Sequence, residues 1–117
     1  MSQDESENTN KQQLYKLVFF VPEDYKERVK NACFQAGGGK IGQYDCCAFE
    51  LKGLGQFRPL SGATPFLGQQ DQLEYVEEFR VEMVVEKKYL KNVIAKMRNA
   101  HPYEEPAFDV LKMEMNF

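Results

Sequence analysis

Histidine is nearly missing from this chain of 117 residues: there is one, His101. No second histidine, activated nucleophile or cofactor fingerprint accompanies it, so the residues do not read as an enzyme's and no cofactor is expected. Cysteine is scarce too. The three are Cys33, Cys46 and Cys47. On a strand the adjacent pair would point to opposite faces, which suits neither a mutual disulfide nor a Cys-x-x-Cys zinc knuckle. They read as small buried hydrophobes in a reducing compartment. There is also no basic run. With 15 basic against 18 acidic residues and a net charge of −3, nothing is built to neutralise phosphates, so nucleic acid is not an expected partner. No stretch reaches the roughly 20 apolar residues of a membrane span, and the N-terminus has no charged-then-apolar leader. The expectation is a cytoplasmic protein with no membrane partner.

What is present suits one globular domain: 43% hydrophobic and 13% aromatic residues. Residues 1–13 hold no apolar side chain after Met1 and are expected to be a disordered tail, leaving 14–117 as the domain. Leu14 to Val21 is apolar almost throughout, as in a strand buried on both faces. Pro22-Glu23-Asp24 opens a helix whose stripe is Val29, Ala32, Cys33 and Ala36, and Gly37-Gly38-Gly39 ends it. A second strand is expected over 43–51. Residues 52–74 then form a long segment with Gly53, Gly55, Gly62 and Gly68 beside Leu54, Phe57, Leu60, Phe66 and Leu67. Such length with such apolar content predicts a folded, functional excursion.

The third strand, 75–86, alternates Phe79, Val81, Met83 and Val85 with Glu78, Arg80, Glu82 and Val84. A second helix starts near Lys87 with the stripe Leu90, Val93, Ile94 and Met97, and a last strand covers 107–115. The order βαββαβ predicts an α+β, ferredoxin-like fold: a four-stranded antiparallel sheet with two helices on one face. Counting directions up and down the sheet puts Pro22, segment 52–74 and the connector 101–106 at one end. That connector, His101-Pro102-Tyr103-Glu104-Glu105-Pro106, is stiffened by two prolines and presents an imidazole, a phenol and two carboxylates together.

Four motifs in order carry a resemblance: GKIGQYDCCAF (39–49), GLGQFRPLSGATPFLG (53–68), EYVEEFRVE (74–82) and HPYEEPAFDV (101–110). Over 14–117 the chain closely resembles the YqfO-type domain. That domain is inserted in larger dinuclear-metal proteins of the NGG-interacting-factor-like family and is itself CutA/PII-like in fold. The resemblance implies a CutA/PII-like module. It does not bring a hydrolase or cyclohydrolase activity with it, because the flanking lobes that hold the metal ligands in those proteins are not expected here.

Two functions are open. The first is a small oligomeric binding or regulatory module, with a ligand or partner site at the edge formed by loop 52–74 and connector 101–106. Its candidate ligand-binding residues are Arg58, Tyr103, Glu104, Glu105 and Tyr44. Arg58 either pairs with Glu104 or Glu105 to pin the loop, or recognises an anion. The second is a divalent-metal-binding protein or metal-dependent enzyme using His101 with Glu104 and Glu105. The partners expected are further copies of the chain, as a dimer or trimer, and a small metabolite or a protein. The sheet face left open by the helices suits burial against another subunit.

Overall fold

The computed structural model describes residues 13–117, so the expected tail lies outside the described residues except for Gln13. Gln13 is already tied down: its carbonyl accepts the Lys87 N–H at 2.9 Å, and its side-chain amide donates to the Met113 carbonyl at 2.7 Å.

Strand β1, Leu14–Val21, is the centre of the molecule. It is paired on both sides, antiparallel to β3 (Glu74–Glu86) and to β4 (Phe108–Lys112). Strand β2 (Phe49–Phe57) completes the sheet beyond β3, in the order β2-β3-β1-β4. Helix α1, Glu23–Gln35, follows β1 directly, with Glu23 and Asp24 in its first turn favoured by the helix dipole. Helix α2, Lys87–Ala100, follows β3 without a loop.

Alternation decides which face is covered. Leu17, Phe19 and Val21 of β1 and Val81, Met83 and Val85 of β3 form one cluster with Val29 and Cys33 of α1 and Val93 and Met97 of α2. Each such side chain withdrawn from water stabilises the fold by roughly 1.5–3 kcal/mol, which overrides the weak helix propensity of Val and Cys. The opposite face carries Lys16, Arg80 and Glu82, with Arg80 Nε 2.9 Å and Lys16 Nζ 3.7 Å from the Glu82 carboxylate. Phe49, Leu51 and Leu111 stand exposed on that same face, at 62%, 52% and 52%.

The second strand differs from the expectation. Residues 43–48 are not extended: Ile41 and Tyr44 bridge each other in a tight turn, and Cys46 takes a left-handed φ of 54°. Cys46 and Cys47 therefore lie on no strand, and Cys46 is exposed, so only Cys33 is a buried hydrophobe. The strand begins at Phe49 and continues through Gly53 and Gly55 to Phe57, where glycines and lost alternation resemble a loop in sequence. The loop shrinks to 58–73. The last strand is shorter than expected as well, because β1 begins at Leu14 and offers no further partner.

Residues Glu74–Glu78 of β3 run past the end of β1 and pair only with Gly53–Phe57 of β2. This two-stranded extension, the end of β1 and the start of β4 share one end of the sheet, as the strand directions require.

Candidate functional site

The connector is fixed from inside. The His101 N–H caps α2 by donating to the Met97 carbonyl at 3.0 Å. Its ring is buried, with Nε2 2.7 Å from the Phe20 carbonyl and Nδ1 accepting the Tyr103 N–H at 3.1 Å. That pattern selects the neutral tautomer with the proton on Nε2. Burial lowers the His101 pKa, and the Phe20 carbonyl offsets part of the shift. Both ring nitrogens are thus engaged, and a metal at His101 would first have to displace one of these bonds. Among the described residues, no three His, Cys, Asp or Glu side chains are grouped to hold a cation.

Tyr103 leaves the connector toward the loop. Its ring lies 6.2 Å from Phe57 and 6.2 Å from Phe66, and Phe66 makes an edge-on contact with Tyr25 of α1 at 5.5 Å. Loop 58–73 is folded back by these aromatic contacts and by Glu104, whose carboxylate accepts the Thr64 N–H at 3.2 Å and the Thr64 hydroxyl at 2.8 Å. The same two bonds hold the Glu104 carboxyl below its usual range. Glu105 is exposed, 4.0 Å from Arg98.

Between loop, ribbon and connector is a cavity of about 440 Å³, lined by Phe57, Phe66, Tyr103, Glu78 and Arg58 among others. Its inner wall is Glu78, half-buried on the outer face of β3. The carboxylate lies across Gly55, where any side chain would collide with it. Burial pushes the Glu78 carboxyl up, an effect the neighbouring Tyr103 hydroxyl only partly offsets. That hydroxyl is itself buried, and burial with the nearby carboxylate raises it to about 12. The contact stops short of a formed hydrogen bond, so the phenol oxygen has no partner among the described residues. Such a group costs roughly 1–3 kcal/mol until it is satisfied.

Arg58, Tyr103, Glu104 and Glu105 all line this cavity. Tyr44 does not. It sits 75% exposed in the Ile41–Tyr44 turn, and that segment is tied to the far half of β3 through Gly39 and the Val84 carbonyl. The expected ion pair of Arg58 with Glu104 or Glu105 is also not formed: Glu104 is occupied by Thr64 and Glu105 faces Arg98, while Arg58 is exposed on the rim. Sequence reasoning missed Glu78 and the aromatic wall. The available signal was Gly55, since a glycine inside a strand marks close approach by another group.

No family model matches the chain. It is 46% identical over 102 residues to a GTP cyclohydrolase 1 type 2 homolog of Halalkalibacterium halodurans, and 48% identical over 101 residues to that of Bacillus subtilis. These alignments take in 87% and 86% of the chain but only 27% of each relative. Among solved structures, a Bacillus cereus protein related to NIF3 superposes with a TM-score of 0.77 at 39% identity, over 89% of this chain and 26% of that one. The periplasmic divalent cation tolerance protein CutA from Archaeoglobus fulgidus superposes with a TM-score of 0.62 at 13% identity, over 89% and 87% of the two chains. The second likeness concerns the ferredoxin-like, CutA-like fold alone. The chain is a relative of the YqfO-type domain carried by the larger proteins, as its four motifs imply, and it spans about a quarter of their length.

Proposed function

We propose that this chain is a small, non-enzymatic binding or regulatory module that holds its ligand in the cavity between loop 58–73, the β2–β3 ribbon and connector 101–106. The observation that carries this reading is a cavity of about 440 Å³ whose wall contains a half-buried carboxylate, Glu78, and a buried phenol oxygen that has no hydrogen-bond partner among the described residues. Sites for small molecules are commonly of this size and combine apolar walls with a few convergent polar groups. Arg58, on the rim and outside any ion pair among the described residues, is available to an anionic part of the ligand. The enzymatic name of the larger relatives belongs to proteins of which this chain spans about a quarter.

We further propose that the protein works in the cytoplasm as a homo-oligomer, dimer or trimer, with Phe49, Leu51 and Leu111 of the open sheet face covered by another copy. Native mass spectrometry of protein purified under mild conditions, with a thermal-shift screen of metabolites, tests the ligand. A ligand present at 100 times its Kd adds about 2.7 kcal/mol, a shift of several degrees for a domain of this size. A protein that carries no small molecule and is stabilised by none would refute the binding reading.

A further inference from the structure

The acidic side chains around the upper sheet are not equivalent. Glu50 sits 2.6 Å from Lys26 and 3.0 Å from Lys30, Glu77 sits 3.0 Å from Lys52, and Glu82 sits 2.9 Å from Arg80. Glu104 is satisfied by Thr64. Glu78, on the cavity wall, has neither a cation within 4.0 Å nor a formed hydrogen bond among the described residues, although it is partly buried and Gly55 is cleared for it. A carboxylate withdrawn from water without a counter-charge is unfavourable, and its site gains most from a ligand that brings one. Around it stand the rings of Phe57, Phe66 and Tyr103, whose π faces attract cations. Arg58, on the same cavity, comes within ion-pair distance of no carboxylate among the described residues.

We infer that the cavity takes a planar organic cation, its charged N–H edge meeting the Glu78 carboxylate and its ring lying against Phe57, Phe66 and Tyr103. This rests on the binding reading above and narrows it to a class of ligand. An amidinium or guanidinium edge matches a carboxylate with two parallel hydrogen bonds, which a lone ammonium does not. The volume accommodates a molecule of one or two rings. The rival arrangement, in which Arg58 swings inward to neutralise Glu78, predicts that the site rejects added cations.

Benzamidine, benzamide and benzoate present the same ring with a positive, neutral and negative head group. Titrated into nitrogen-15-labelled protein, benzamidine is expected to shift the amide signals of Gly55, Phe66 and Tyr103. Its affinity should exceed that of benzamide about tenfold, the worth of one charge-assisted contact, and benzoate should not bind there. Glu78→Gln should abolish the preference for benzamidine. Should that variant fold poorly, Gly55→Ala keeps every charge and displaces the carboxylate, and it should weaken benzamidine at least fivefold. Equal binding of benzamide, binding of benzoate alone, or benzamidine affinity untouched by both variants overturns the cation assignment and leaves a binding site in place. No response to any of the three also overturns it, and the wider reading falls with it only if mass spectrometry and the metabolite screen are blank as well.

Discussion

The Glu78 carboxylate occupies the space that a side chain on Gly55 would need: a Cβ there would come within 2.7 Å of Glu78 Cδ. Gly55 is not among the glycines with positive φ, so alanine fits its backbone. Gly55→Ala should leave the strand intact, with a gain of roughly 0.4–1 kcal/mol from the stiffer unfolded chain set against moving one flexible side chain. Because burial is what raises the Glu78 carboxyl, its titration midpoint should drop toward the ordinary 4.5 in the variant. Carbon-13 NMR of the side chain reads this directly, and an unmoved midpoint would refute the arrangement.

His101 gives a pH dependence of known sign. Its folded pKa lies below the ordinary 6.5 because the buried ring is held neutral. The stability it contributes is complete above pH 6.5 and is lost as the pH falls through 6.5 toward the lowered folded value. Urea denaturation at pH 7.5 and 5.5 should show that loss in the wild type and little of it in His101→Gln. Truncation to alanine takes the ring partner from both the Phe20 carbonyl and the Tyr103 N–H and should cost up to about 1–3 kcal/mol for each group left unsatisfied. An identical pH profile in wild type and His101→Gln would rule out the neutral staple.

The loop should respond to Thr64 and not to Arg58. Thr64→Ala removes the hydroxyl bond to Glu104, so hydrogen exchange across 60–67 should quicken while β1 and β3 stay protected. Arg58→Ala should leave exchange there unchanged, since Arg58 makes no ion pair among the described residues. The reverse ranking would restore Arg58 as the pin.

Thiol labelling should separate the three cysteines. Cys46, exposed at a left-handed turn, should react with a maleimide in the native protein. Cys33, fully buried and pushed up to about 12, should react only after unfolding. Labelling of Cys33 at native rates would mean that the core opens far more often than its packing implies.

On the proposed oligomeric reading, Leu51→Glu should leave the chain monomeric where the wild type associates, read by light scattering at about 100 µM, well above the Kd of a stable interface. Leu54→Glu, on the other side of the same strand, should not. A wild-type monomer at that concentration would refute the covered face.

Much of the fold is legible in the residues because periodicity reports burial. Leu17, Phe19 and Val21 against Val81, Met83 and Val85, with two amphipathic helices, leave the ferredoxin-like order as the simplest way to build one core. Strand β2 was less legible because its work at Gly53 and Gly55 is done by missing side chains, and Cys46 breaks the chain by backbone angle alone. The end of the molecule holding the site followed from strand direction. Its inner wall did not, because Glu78 meets Gly55 and Tyr103 only once a register is known, and two residues about 25 positions apart carry no local trace of that pairing. Arg58 and Tyr44 both sit in motifs that carry the resemblance, and only the first of them reaches the cavity.

The strand order also bears on how a nascent chain reaches this shape. Strand β1 is made before the other strands of the sheet, yet one of its edges stays open until residues 108–112 have followed. A chain stalled after α2 would display the backbone of the most apolar strand in the protein, Leu14–Val21, as a sticky edge for other chains. The His101 bond to the Phe20 carbonyl holds the connector at the tip of β1, seven residues before Phe108 begins the strand that covers this edge.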